Sequence, residues 1–173
     1  MGAVAIPAHV GAWVDCDTPL TSDVCDAVVR YGAVGVARYV PLPNNSVAAD
    51  ITAAGGCAHF LGGDVSRDAD VASLLRATLA RFGGLHIVVN NAGMTRDGLI
   101  LRMKDEDWDQ VLAVNLTGAF RCARAALRPM LKQKQGGRII NISSVVGSMG
   151  NVGQANYVAA KAGLIGLTKA LAK

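Results

Sequence analysis

The sequence predicts an α/β protein with a parallel sheet, and three features of its 173 residues support that prediction. Short apolar, β-branched runs alternate with helical patterns in the second half, as expected of parallel strands joined by helices. Twenty glycines and only 5% aromatic residues suit tight turns and close helix packing. The chain is 51% hydrophobic and 17% charged, so one domain over residues 1–173 with a real core is expected.

The first half of the chain gives weaker signals than the second. Residues 1–25 have no clear periodicity and form an atypical segment. Residues 31–40 (YGAVGVARYV) predict a strand, and a helical stretch near residues 47–54 is closed by two glycines. A further helix is expected to begin near Asp68.

The second half gives clear elements. Residues 85–90 (LHIVVN) predict a strand buried on both faces, and residues 104–134 predict a long helix with three acidic residues in its opening turn. Residues 138–142 predict the next strand. Residues 155–172 are apolar or small on nearly every face, so we expect that helix to be buried on several sides.

Composition excludes several classes of function. The net charge of +4 comes from scattered Arg and Lys, so nucleic acid is not an expected partner. The four cysteines lack C-x2-C spacing, so neither a metal site nor a disulfide framework is predicted. No apolar run reaches the roughly 20 residues that span a bilayer, and the N-terminus resembles neither a signal nor a transit peptide. We expect a cytoplasmic protein, with the plastid stroma as the alternative for a plant or alga.

Ser144, Tyr157 and Lys161 carry the chemistry in the spacing S-x12-Y-x3-K. Lys161 follows Tyr157 by four positions, so the two side chains share one helix face. A phenol with a pKa near 10 is a poor acid or base at neutral pH, and an adjacent ammonium lowers that pKa. A serine hydroxyl can hold a substrate oxygen. The set suits proton transfer to or from an alcohol or carbonyl.

The residues around this set resemble a known family. Asn90-Asn91-Ala92-Gly93, Asn115-Leu116-Thr117-Gly118 and the run through Ser144 resemble motifs of the short-chain dehydrogenase/reductase family, and residues 83–173 resemble its 3-oxoacyl-[acyl-carrier-protein] reductase branch. The resemblance implies a Rossmann-like doubly wound parallel sheet, with residues 26–173 family-like. It also implies NADPH-dependent reduction of a 3-ketoacyl thioester in fatty acid synthesis.

The resemblance implies four catalytic residues. Tyr157 would donate a proton to the substrate carbonyl oxygen, and Ser144 would hydrogen-bond that oxygen. Lys161 would lower the tyrosine pKa and hold the nicotinamide ribose. Asn115 would hold a water that links Lys161 to solvent; taken alone, Asn115 could simply cap or kink its helix.

The resemblance also implies a binding site for NADP(H). Arg38 would pair with the 2′-phosphate, with a solvated surface Arg as the alternative. Asp64 would lie near the adenine, with an N-cap of the following helix as the alternative. The backbone of the Asn91–Gly93 turn would pass the adenosine side of the cofactor. The full predicted set is Arg38, Asp64, Val65, Asn91, Ala92, Gly93, Tyr157 and Lys161.

Two family features are absent from the sequence. The family's T-G-x3-G-x-G turn has no counterpart, since Gly32-Ala33-Val34-Gly35 is too short, and the sequence ends where the family continues into further strands. The sheet is therefore expected to be incomplete, with an aberrant first βα unit and missing C-terminal strands.

Several functional alternatives stay open. The resemblance implies a homodimer or homotetramer through the two long helices, although their small residues could equally pack on the protein's own sheet. The implied substrate is bound to acyl carrier protein. The alternatives are an inactive homologue or fragment that pairs with a full-length reductase, and another short-chain alcohol dehydrogenase such as an acetoacetyl-CoA reductase.

Overall fold

The computed structural model describes residues 34–37, 53–55 and 57–173, and for residues 34–37 it describes the backbone alone. Three strands and five α-helices lie in this part of the chain. In chain order they are β1 (Val34–Ala37), α1 (Asp68–Phe82), β2 (Ile87–Asn90), α2 (Asp105–Leu112), α3 (Ala119–Lys132), β3 (Arg138–Asn141), α4 (Val146–Met149) and α5 (Ala155–Leu171). A single 3-10 turn, Ile100–Arg102, precedes α2.

The three described strands form one parallel sheet in the order β1-β2-β3. Asn90 and Asn141, the last residues of β2 and β3, are register partners, and their side chains meet at 2.7 Å between Nδ2 and Oδ1. Both strands therefore end at one level, and the segments that follow them leave the sheet at the same edge. Ligands of open α/β sheets bind at this edge, outside the carboxyl ends of the strands.

The predicted long helix is confirmed, with a change of helix type in its middle. A π-helical segment, Ala113–Gly118, separates α2 from α3 and contains Asn115. Short π segments inside α-helices frequently occur at functional sites. The alternative that Asn115 kinks its helix is compatible with this change of helix type.

The core lies between the sheet and helices α1 and α3. Its buried members come from all of these elements: Val65, Val71, Leu75, Leu85, Val88, Val114, Cys122, Ala126 and Met130. On the surface, the carboxylate of Asp68 joins α1 to α3 through Arg124, at 2.9 Å, and Arg121, at 3.4 Å. Exposed pairs of this kind add little stability, so the apolar contacts fix the two helices together.

One alternative that the sequence left open, an N-cap role for Asp64, is wrong. Asp64 does not cap α1, because the helix begins at Asp68 with Arg67 in the N-cap position. The Asp64 carboxylate instead accepts from the Ser66 amide at 2.8 Å, a local turn that Asp side chains commonly form. Helix α5 is covered on several sides as expected, because Asn156, Ala160, Lys161 and Leu164 are buried and the exposed residues, such as Ala162 and Gly166, lie along one face.

No helix in the described residues is both long enough and apolar enough to cross a membrane.

Candidate active site

Lys161 is the buried charge at the carboxyl edge of the sheet. Only 4% of the residue is exposed, and its Nζ donates to the carbonyl of Ile142, directly after β3, at 2.6 Å. Burial lowers the lysine pKa from 10.5 to about 8, because an ammonium is less stable away from water. The Ser143 hydroxyl donates to the Lys161 carbonyl at 3.0 Å and ties the same two segments together.

Close backbone packing fixes Lys161 from a second direction. Helix α4 approaches α5 at Gly147, where a Cβ would lie 3.0 Å from both the Lys161 carbonyl carbon and the Ala162 amide nitrogen. A side chain at this position would press on the backbone of α5. Position 147, three residues after Ser144, therefore has little space for any side chain larger than that of glycine.

Tyr157 lies beside Lys161 as their spacing predicts. The lysine Nζ is 5.5 Å from the centroid of the Tyr157 ring, and the tyrosine is half-buried. Ser144 is 6% exposed and follows Ile142, whose carbonyl accepts from Lys161. The structure thus places the predicted phenol and ammonium together and brings the serine segment to the lysine. An ammonium at this range favours the phenolate form of a tyrosine.

The side chain of Asn115 makes two hydrogen bonds to the backbone of Met94. Its Oδ1 accepts from the Met94 amide at 2.8 Å, and its Nδ2 donates to the Met94 carbonyl at 2.9 Å. The residue is 1% exposed. The side-chain amide therefore holds the loop that follows β2, and a Cβ on Gly93 would come within 3.4 Å of its oxygen.

The predicted cofactor residues lie in three places. Asn91, Ala92 and Gly93 are half-buried and directly follow β2. Val65 and Ala92 line one small cleft together with Asn90 and Cys122, so the structure brings two of the predicted residues together. Asp64 is half-buried immediately before Val65, and Arg38 lies outside the described residues.

Two observations concern metal-ligating and thiol groups in the described part of the chain. No group of three or more His, Cys, Asp or Glu residues there could hold a metal ion. Cys122 is buried, and burial raises the pKa of its thiol from 9.0 to about 11. Because the thiolate is the reactive form, this cysteine is inert at neutral pH.

Sequence reasoning missed Asn156, which lies directly before Tyr157. The residue is 0% exposed, and its side chain makes hydrogen bonds to three backbone groups. The available signal was an amide in the first turn of a helix that is otherwise mostly small and apolar. A buried amide has to find partners, so such a residue indicates a specific tertiary contact.

The family model of the short chain dehydrogenases matches residues 16–173. The chain belongs to this short-chain dehydrogenase family. The match agrees with the motifs that carry the Ser-Tyr-Lys set, and it extends over most of the chain.

Several curated proteins that are similar to the chain bear one reductase name. The chain is 54% identical over 129 residues to a 3-oxoacyl-[acyl-carrier-protein] reductase of Synechocystis sp., a match that covers 75% of this chain and 52% of that protein. The reductase of the same name from Escherichia coli is 54% identical over 110 residues, covering 64% and 45%. That of Staphylococcus aureus is 47% identical over 128 residues, covering 74% and 52%. The chain spans about half the length of these relatives.

A solved structure supports the fold. A short chain dehydrogenase from Mycobacterium avium superposes with a TM-score of 0.69 at 44% sequence identity, covering 73% of this chain and 45% of that chain. The parallel sheet with helices between its strands is therefore the Rossmann-like arrangement that the chain shares with the Mycobacterium avium protein.

Proposed function

We propose that the chain carries the catalytic centre of an NADPH-dependent 3-oxoacyl-[acyl-carrier-protein] reductase, an oxidoreductase of fatty acid synthesis. The observation that carries the proposal is the buried Lys161, held at 2.6 Å by the Ile142 carbonyl and 5.5 Å from the Tyr157 ring centroid. Relatives that are 47% to 54% identical bear this reductase name.

A nicotinamide cofactor fits the donors present. An ammonium has three N–H groups, and among the described residues the Ile142 carbonyl is the one acceptor found for Lys161. Two N–H groups are thus available to ribose hydroxyls. The turn at Asn91, Ala92 and Gly93 leaves the same sheet edge, where dinucleotides bind in open α/β sheets. A nicotinamide bound there would be the source of the hydride for the substrate carbonyl carbon.

The protein's own residues then handle the carbonyl oxygen. Ser144 hydrogen-bonds the oxygen and positions it, and Tyr157 donates its phenolic proton as negative charge develops there. Lys161 stabilises the phenolate that remains and holds the ribose. Asn115 keeps the Met94 loop in place through its two hydrogen bonds.

Selectivity for NADP and the choice of carrier are the finer parts of the proposal. Arg38 provides the charge for the 2′-phosphate, and Asp64 with Val65 borders the adenine. A homodimer or homotetramer is the proposed assembly, and the proposed compartment is the cytoplasm. The motifs are shared with acetoacetyl-CoA reductases, so the carrier is decided by experiment.

The test is reduction of a 3-oxoacyl thioester by the purified 173-residue chain with NADPH. Oxidation of NADPH is followed by absorbance, and the 3-hydroxyacyl product is identified by mass spectrometry, with acyl carrier protein and coenzyme A thioesters compared. The proposal expects turnover with a preference for the carrier-protein substrate. A preference for the coenzyme A thioester would favour the other reductase class, and no product with either would contradict the proposed activity.

A further inference from the structure

We propose that Asn156 is a positioning residue for Tyr157, holding the start of α5 against the loop after β2. This inference rests on the proposed function for its kinetic consequence, but its structural basis is independent of the reaction. Asn156 needs no contact with substrate to act, because it is the chain neighbour of the phenol and is itself 0% exposed.

The side chain of Asn156 uses its full donor capacity on two other elements. Its Nδ2 donates to the carbonyl of Arg96, in the loop after β2, at 2.9 Å and to the carbonyl of Asp107, in the first turn of α2, at 3.3 Å. One amide thus joins the start of α5 to a loop and to a second helix. Both carbonyls would lose this donor if the amide were removed.

The oxygen of the same side chain completes the first turn of α5. The first four N–H groups of a helix have no acceptor within the helix. Gln154, in the N-cap position, provides no side-chain cap. Asn156 Oδ1 instead accepts from the Tyr157 amide at 2.8 Å, so the backbone of the catalytic tyrosine is held by the residue that precedes it.

The loop held by Asn156 is the loop that begins with the predicted cofactor turn. Four successive contacts hold it: Asn115 at Met94, Asn156 at Arg96, Gln154 at Asp97 (3.1 Å) and the Gly153 carbonyl at the Gly98 amide (2.8 Å). Three of the four come from the segment that leads directly into Tyr157. Within this set, Asn156 supplies the buried side-chain contact next to the phenol.

A fixed distance between this loop and the phenol matters for proton transfer. A misplacement of about 1 Å far from the reacting atoms can lower a rate about a hundredfold. Loss of the Asn156 contacts removes the buried link between the start of α5, the loop and α2, so we expect Tyr157 to shift relative to both the loop and Lys161. We therefore expect a lower rate of the chemical step and a change in the pH at which the phenol titrates.

The first experiment compares Asn156→Ala with the parent chain and with Gln133→Ala. Gln133 is a matched control because its side-chain amide also holds backbone, accepting from the Leu85 amide at 3.2 Å and donating to the Leu85 carbonyl at 2.8 Å. That contact lies before β2, at the opposite end of the strand from Tyr157. Both variants lose a backbone-holding amide, but only Asn156→Ala loses one at the phenol.

We expect kcat of Asn156→Ala, per folded molecule, to fall about a hundredfold with little change in KM, and kcat of Gln133→Ala to stay near the parent value. Equal kcat in the parent and Asn156→Ala would overturn the proposal.

If Asn156→Ala does not fold, Asn156→Asp replaces it, since the carboxylate keeps the oxygen that accepts from Tyr157 and loses both donors. The ratio of its kcat to that of the parent should rise as pH falls, because a protonated carboxyl regains one donor; a ratio independent of pH would contradict the inference.

A second readout needs no turnover and separates this inference from the proposed function. The chain has three tyrosines, so Tyr31→Phe/Tyr39→Phe leaves Tyr157 as the single phenol for titration by ultraviolet absorbance. In this background, Asn156→Ala should change the pH at which Tyr157 titrates, because the phenol moves relative to the Lys161 ammonium that lies 5.5 Å from its ring. An unchanged titration would overturn the positioning role even if the parent is active. An inactive parent whose titration shifts with Asn156→Ala would contradict only the proposed function.

Discussion

At the scale of single residues, the site depends on one buried ammonium and the groups that hold it. Lys161 is 4% exposed, and burial lowers its pKa to about 8. The sequence predicted its place beside Tyr157, because residues four apart on a helix share a face whatever surrounds them. It could not predict the Ile142 carbonyl or the Asn156 amide, because those contacts depend on how β3 and the loop after β2 meet α5.

The cost of burying Lys161 gives a pH-dependent prediction. Below about pH 8 both the folded and the unfolded chain carry the proton, and the folded state bears the desolvation cost. Between pH 8 and 10.5 the folded chain releases its proton first, so the free energy of unfolding gains about 3 kcal/mol from this group as pH rises. Lys161→Met removes that dependence.

Urea unfolding of the parent and Lys161→Met at pH 7 and pH 10.5 measures the effect. The free energy of unfolding of Lys161→Met minus that of the parent should be larger at pH 7 than at pH 10.5. A stability difference that is the same at both pH values would show that the folded-state pKa of Lys161 is not lowered.

At the scale of elements, the sequence predicted correctly which segments form helices and which form strands, but it did not predict the local geometry within those segments. Residues 85–90 and 138–142 contain β2 and β3, because short β-branched runs bounded by turns suit buried parallel strands. The π segment at Ala113–Gly118 was not predictable, since the pairing of Asn115 with Met94 spans 21 residues of sequence. The Asp64 cap failed because the chain enters α1 through a turn that uses the aspartate differently.

Contact between α4 and α5 gives a prediction with a built-in control. Gly147→Ala puts a Cβ 3.0 Å from the backbone of α5 at Lys161, and backbone yields less easily than a side chain. We expect the free energy of unfolding to fall by about 1–3 kcal/mol. Gly166→Ala, in α5 and with no atom within 4 Å of its added Cβ, should instead raise it by about 0.5–1 kcal/mol.

Thermal and urea unfolding of the two variants provide the comparison. If both glycines respond alike, helix propensity alone governs them, and the close approach of α4 to Lys161 has no energetic role.

At the scale of the whole molecule, strand order and register produce the site. Parallel pairing aligns Asn90 with Asn141, so the loop with Asn91, Ala92 and Gly93 and the segment with Ser144 leave one edge. The sequence predicted the parallel sheet, because alternating strands and helices favour one, and the carboxyl ends of parallel strands meet at one edge. Its expectations for Arg38 and for the glycine-rich first unit fall outside the described residues.

The selectivity of the protein for NADPH over NADH can be measured directly. Fluorescence titration should give a dissociation constant for NADPH at least about tenfold below that for NADH, the difference expected of one charge-assisted phosphate contact. Arg38→Ala should abolish most of that difference while leaving NADH affinity unchanged. Equal affinities in the parent would contradict the proposed NADP selectivity.

The central claim is that the Tyr157 phenol protonates the substrate oxygen, and a single-turnover measurement tests it most directly. The parent chain and Tyr157→Phe are each mixed with NADPH and a 3-oxoacyl thioester, and the 3-hydroxyacyl product and the NADPH dissociation constant are measured in the same samples. The proposed mechanism predicts that Tyr157→Phe binds NADPH as tightly as the parent and forms essentially no product. Product formation at the parent rate in Tyr157→Phe would contradict it.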